Sequence, residues 1–245
     1  MDRGIFIDSS GASDSMHQLE VIGNNLANAN TPGFRSDHVI VKHMPINDSD
    51  KQTRFYSTFF QIYSNFSTGP LTKTDRDLDI SISGKGFLSV QGKEGEEAFT
   101  RVGSLQIKNG FLTLPSGEFV MGQAGVINIP DEAERITISQ DGTIAIKIAG
   151  QANLVTLDRL KLVNMGSASM KKGADGMFHL SEGERALVDD NIKIQTGVLE
   201  GSNVNVVESL TDLIELSRGF EMHTSLMKDF KDNASKANQI LSMPR

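Results

Sequence analysis

Leu213, Phe220, Met227, Ala234 and Leu241 recur at steps of seven, and Leu216, His223, Phe230 and Ala237 form a second row three residues along. Rows so spaced repeat every 3.5 residues on average, the period that keeps apolar side chains on one seam of a helix wound on another helix. The start of the helix is marked as well. Asn205 can cap it, and Glu208 stands where the partner residue of a capping box belongs. From Val206 to Ser242 such a helix would be about 55 Å long at ~1.5 Å per residue, more than a compact domain needs.

The other end of the chain carries a similar pattern. Ile5, Ala12, Leu19 and Leu26 are spaced by sevens, with Met16, Ile22 and Gly23 beside them. This stripe stops at Asn28-Ala29-Asn30-Thr31-Pro32-Gly33. Pro32 disfavours helix at Thr31, and Pro-Gly suits the centre of a type II turn. Between the ends, Leu78, Ile80 and Ile82 alternate with polar residues, and short apolar runs flank Lys108-Asn109-Gly110 and Asp141-Gly142. Such runs with frequent turns predict antiparallel strands. The fold class expected is therefore α+β, with long N- and C-terminal helices pairing as a coiled-coil-like core and a central antiparallel β-rich domain. The divisions are 1–33 for the first helix, 34–69 for an aromatic extended or hairpin connector, 70–200 for the β domain and 201–245 for the last helix.

Composition excludes several chemistries. The formal net charge is −7, the wrong sign for a nucleic-acid groove or an anionic membrane surface. Lys171-Lys172 reads as a solvated turn. With no cysteine, thiol catalysis and Cys-ligated zinc are excluded. No apolar run approaches the roughly 20 residues of a membrane span, and Met1-Asp2-Arg3-Gly4-Ile5-Phe6-Ile7 is not a cleavable signal. Asp75, Asp77 and Asp79 begin like a calcium loop, but Ile80 and Gly86 stand where Gly and Glu are required, so a polar strand edge is expected. Gly84-Lys85-Gly86 is too short for a nucleotide fingerprint. His17, His38, His43, His179 and His223 form no metal-binding pattern, and His223 falls on the C-terminal seam. No catalytic, metal or cofactor-binding residue is assigned, and no cofactor is expected.

A protein without such a site acts through its surfaces. Helices with uncovered apolar seams need partners, first each other and then the same pair in neighbouring molecules. The expected interface residues are Ile5, Ala12, Met16, Leu19, Ile22 and Leu26 on the first helix. On the last helix they are Leu213, Leu216, Phe220, His223, Met227, Phe230, Ala234, Ala237 and Leu241. Four amides (Asn24, Asn25, Asn28, Asn30) crowd the end of the first helix. They either fray into a loop or bond across helices and fix register, as a buried Asn does in a coiled coil.

Asn24-Asn25-Leu26-Ala27-Asn28-Ala29-Asn30-Thr31-Pro32-Gly33-Phe34 resembles the N-terminal signature of the flagellar rod and hook protein family. Gly69-Pro70-Leu71-Thr72-Lys73-Thr74, the run from Leu78 to Phe87, Phe99-Thr100-Arg101-Val102-Gly103 and Gly197–Asn205 are similar to its later motifs, in order along the chain. Gly23, Phe34, Phe99 and Val102 depart from the residues usual there. The opening and the length are more like proximal-rod members than distal-rod members, the alternative. The resemblance implies a structural, non-enzymatic subunit of the basal-body rod. It also implies export through the flagellar type III apparatus and assembly in the periplasm, with copies of itself and other rod proteins, into a torque-transmitting tube. A secreted β-domain adhesin is the alternative of a different class.

Overall fold

A computed structural model of the chain describes residues 4–45, 55–92, 95–150, 153–165, 170–180 and 186–241. Met1-Asp2-Arg3, Ser242 and the side chain of Leu241, on which the sequence reading drew, lie outside these. The architecture is α+β, with a helix towards each end and antiparallel strands between. The chain divides into two compact units. One comprises Met1–Ala29, Ser36–Asn65 and Val204–Arg245; the other comprises Asn30–Arg35 and Phe66–Asn203.

The first unit holds helix α1 (Gly4–Ala27), the hairpin of β1 (Asp37–Pro45) and β2 (Phe55–Ser64), and helix α2 (Val206–Leu241). α1 packs on α2 and on the hairpin. Of the two conformations expected for 34–69, the hairpin is the one adopted over β1 and β2, with a register shift between Lys42 and His43. Along β1 the exposure alternates. Asp37, Val39 and Val41 are half-buried while His38, Ile40 and Lys42 face outward, as the two-residue period of a strand covered on one side requires. His38 stacks on the ring of Tyr63 across the strand pair, 5.5 Å between centroids. The side chain of His43 is outside the described residues.

The second unit is the β body. Its largest sheet runs β14 (Met170–Lys172), β15 (Phe178–Leu180), β6 (Glu97–Thr100), β5 (Phe87–Gln91), β9 (Phe119–Val120), β8 (Phe111–Thr113) and β7 (Gln106–Lys108), with β13 (Leu162–Val163) also on β5. A three-stranded sheet joins β10 (Ala133–Ile138), β11 (Thr143–Ile148) and β12 (Leu154–Arg159). Two pairs complete the unit: β4 (Ile80–Ser83) with β16 (Lys193–Thr196), and β3 (Leu71–Lys73) with β17 (Val198–Glu200). Both expected hairpins form. Asn109 and Gly110 have φ of 54° and 78°, the two positive values of a type I′ turn between β7 and β8. Asp141 accepts from the backbone N–H and hydroxyl of Thr143 in the β10–β11 turn. These bonds hold its carboxyl below the ordinary value.

The interior is aliphatic: Leu88, Val90, Ala98, Leu105, Leu112, Val120 and Ile144 are sealed from solvent in one cluster. Phe66, the last of the connector's aromatics, instead packs with Phe87 and Phe178 in a second cluster. One expectation is corrected. Asp79 is not a solvated edge residue; it is buried beside Arg76 at 3.5 Å, because its own backbone bridges Ser104. Asp75 and Asp77 do stay exposed, Asp77 pairing with Arg135 at 3.2 Å.

Gly33 marks the tightest crossing near the signature. Thr31 O accepts from Phe34 N–H at 3.2 Å, and Gly33 has φ of 71°, which makes Thr31–Phe34 a type II turn. A Cβ at Gly33 would stand 2.4 Å from the carbonyl carbon and oxygen of Arg101. Gly84, at φ of 76°, has open space where its Cβ would be. Gly84→Ala should therefore cost only the left-handed backbone, about 1–2 kcal/mol. Gly33→Ala should cost more, since backbone must also move. Urea unfolding of the two variants measures the difference.

Candidate assembly interface

α1 is a helix of small and apolar residues. Ala12, Ser15, Val21 and Asn25 are its buried positions, and Ile5, Leu19, Ile22 and Leu26 are half-buried. Met16 and Phe6 are both more than half exposed. Val21 is thus more buried than its neighbour Ile22, a detail the heptad spacing missed.

The amides of the signature have partners inside the chain. Asn25 Nδ2 donates to Asp37 O at 2.7 Å, and Asp37 N–H donates to Asn25 Oδ1 at 2.9 Å. A buried amide has both its polar atoms satisfied this way, so Asn25 pins α1 to the first residue of β1. Asn28 Nδ2 donates to Asn24 O and closes the last turn of its own helix. Cross-helix bonding, one of the two readings of these amides, is therefore corrected for Asn25: its amide is a side-chain continuation of the strand edge. Asn24 and Asn30 are exposed.

At the other helix, Asn205 Oδ1 accepts from Val207 N–H at 3.2 Å and Glu208 N–H at 3.4 Å, an N-cap. The return bond from Glu208 is absent among the described residues. Leu213, Leu216, Phe220, His223, Met227 and Phe230 are each half-buried, and Ala234 and Ala237 are exposed. α1 packs on α2, yet Val207, Leu210, Ile214, Met222 and Leu226 remain exposed, Val207 at 75% and Met222 at 61%. Spacing alone did not single out these five. The signal available was that α2 carries apolar residues on more than one side.

Next to the signature, within the β body, lies a charged cluster that no local pattern announces. Arg35 Nη2 bonds Glu200 Oε1 at 2.5 Å, and Arg101 Nη1 lies 3.5 Å from Glu200 Oε2, all three side chains being buried. Gly69 N–H donates to the same carboxylate at 3.1 Å, and Gly33 N–H donates to Glu200 O at 2.8 Å. Arg101 also donates to the carbonyls of Ile82, Gly84 and Gly86. Burial pushes its guanidinium below the ordinary value; Glu200 opposes that and Arg35 adds to it. Lys172, expected in a solvated turn, instead donates to Arg35 O at 2.7 Å with its Nζ 3.7 Å from the Phe34 ring centre, because β14 brings it over the signature turn.

An open cavity of about 560 Å³ in the β body is lined by Met121, Gln123, Lys161, Val188 and Asp190, among others. Lys161 there is tied to Glu97 at 2.6 Å, and Arg159 to Asp190. Among the described residues no group of His, Asp or Glu is placed to hold a metal ion. Among the described residues no helix is long and apolar enough to cross a membrane.

A β body with a closed core and terminal helices with uncovered apolar side chains define a structural subunit. Comparison with known proteins narrows the class. Residues 7–35 match the family described as flagella basal body rod protein, 81–146 the flagellar hook protein FlgE/F/G D1 domain, and 195–240 the flagellar basal body rod FlgEFG protein C-terminal. The flagellar basal-body rod protein FlgF of Escherichia coli K12 is 39% identical over 99% of this chain and 100% of that protein. FlgF of Salmonella typhimurium LT2 is 37% identical over the same shares. FlgG of Buchnera aphidicola from Acyrthosiphon pisum is 27% identical over 98% of this chain and 100% of its own. The chain belongs to the flagellar basal-body rod protein family, as a structural rod subunit, and among these relatives it is more similar to FlgF than to FlgG.

Removing one partner of a buried ion pair strands the other, at about 3–5 kcal/mol. Glu200→Gln should therefore destabilise the chain by that order. Asp77→Asn, which opens the exposed pair with Arg135, should cost less than ~1 kcal/mol. Equal effects in urea unfolding would contradict the assigned role of the cluster.

Proposed function

We propose that the chain is a subunit of the proximal rod. In this reading α1 and α2 pair as a coiled-coil-like core. The sides of the pair left uncovered are buried against copies of the same chain and against other rod proteins, building a helical tube that carries torque from motor to hook. The subunit reaches the periplasm through the flagellar type III export apparatus and works without catalysis. The interface takes in Ile5, Ala12, Met16, Leu19, Ile22 and Leu26 on α1, with the seam from Leu213 to Leu241 on α2.

The observation that carries the reading is the exposure of Val207, Leu210, Ile214, Met222 and Leu226 on a helix that α1 already packs against. Water contact with that much aliphatic surface on one helix is unfavourable by roughly 25 cal/mol per Å², so a covering partner is favoured. Proximal rather than distal placement is supported by the higher identity to FlgF than to FlgG among the relatives compared.

Ile214→Asp and Leu210→Asp test it. In the free chain both positions are exposed, so stability should change by less than ~0.5 kcal/mol. In the assembly each would bury an unpaired carboxylate, so cells carrying either variant should not swim, and isolated basal bodies should lack the protein. Normal swimming and normal incorporation of both variants would count against the assembly reading.

A further inference from the structure

His223 is the one polar side chain among the half-buried residues of the α2 seam, between Phe220 and Met227. Its ring packs against α1 at Gly11. A Cβ added to Gly11 would stand 2.8 Å from Cε1, 3.0 Å from Nε2 and 3.3 Å from Nδ1. Nδ1 is buried and has no hydrogen bond among the described residues, and the Asp8 carboxylate lies 3.7 Å from it, one turn back along α1. Asp8 is the charged group facing the ring from α1. On α2 the residues one turn away are Gly219, Phe220, Leu226 and Met227, none of which titrates.

We propose that His223, Gly11 and Asp8 form a register lock that holds α2 on α1 in one axial position. Leucine and phenylalanine seams by themselves tolerate slippage, because one apolar contact replaces another with little loss. The histidine removes that tolerance in two ways. If α1 slid by one turn, Ile7 or Ser15 would stand where Gly11 now makes room, and either side chain would collide with the ring. The same slide would take the carboxylate of Asp8 away from a buried nitrogen that has no other partner, the penalty by which a single polar residue fixes coiled-coil register. One turn further along α1, the Ser15 hydroxyl donates to Gly11 O at 3.0 Å. Gly219, the seam-side glycine on α2, has nothing within 4 Å of its would-be Cβ, so a notch of this kind is present at Gly11 and not there.

The lock rests on the assembly reading only for its consequence in cells. It is tested on the purified full-length chain by the loss of helical circular dichroism on heating, for Gly11→Ala, His223→Ala and the two together. Gly11→Ala should lower the melting temperature by about 3–8 °C, the usual effect of overpacking in a chain of this size. The double variant should regain most of that loss, because the new methyl group occupies space the ring has left. Asp8→Asn should lower it less than Gly11→Ala. Strict additivity of the two single changes, or a Gly11→Ala chain that melts like the wild type, would overturn the lock. Non-additive melting supports it even where the strains swim normally, a result that would count against the assembly reading alone.

Discussion

A carboxylate shut away from water between two guanidiniums is tolerable in one arrangement of the chain and costly in all others. Glu200 is in that position. Arg35 and Arg101 approach its two oxygens, Gly69 N–H donates to one of them, and its own carbonyl takes Gly33 N–H. Three stretches distant in sequence must therefore arrive together before any of the charges is compensated. Glycine is needed where they cross, since a Cβ at Gly69 would stand 2.2 Å from Gly201 O and one at Gly33 would strike Arg101. The stretches are also those in which family likeness is legible: the turn after α1, the Phe99–Gly103 segment and the segment before α2. What reads in sequence as separate motifs is, in the β body, one electrostatic junction.

The two units meet their need for burial differently. In the β body, β5 has Phe87 to Val90 buried on both faces, and its neighbours β6 and β9 place Ala98 and Val120 beside it with no solvent contact. That core is complete within the chain. The helical unit is not. α1 is 24 residues long and α2 is 36, so the shorter helix cannot cover the full length of the longer one. This accounts for the seam being half-buried from Leu213 to Phe230 and exposed at Ala234 and Ala237.

Periodicity revealed the helices because a seam is a local property of sequence. The row Leu213-Leu216-Phe220-His223-Met227-Phe230 could be found from spacing alone, and so could the turns at Asn109-Gly110 and Asp141-Gly142, where backbone chemistry leaves few choices. Other features were hidden for a definite reason. The Arg35–Glu200 pair spans 165 residues and leaves no trace in either neighbourhood. Lys172 looked solvated because nothing near it in sequence names Phe34 as a neighbour. Asp79 looked like an edge residue because alternation gives the side of a strand and not what covers that side. The exposed row of Val207, Leu210 and Ile214 was masked by a stronger seam on the same helix.

The amide cluster at the end of α1 shows most clearly what spacing leaves undecided. An amide at a helix end offers one donor group and one acceptor, and sequence cannot say which backbone takes them. In Asn25 both go to Asp37, so the cluster fixes where the hairpin leaves α1. Asn25 therefore does not set how α1 meets α2. That task needs a polar contact between the two helices themselves. Asp8 of α1 and His223 of α2 form a polar pair that bridges the two helices, over the bare backbone of Gly11. Placing the register-setting polar group on the longer helix has a further consequence. The shorter helix contributes a gap rather than a side chain, and a gap at one position is a stricter demand on the partner than another apolar contact would be.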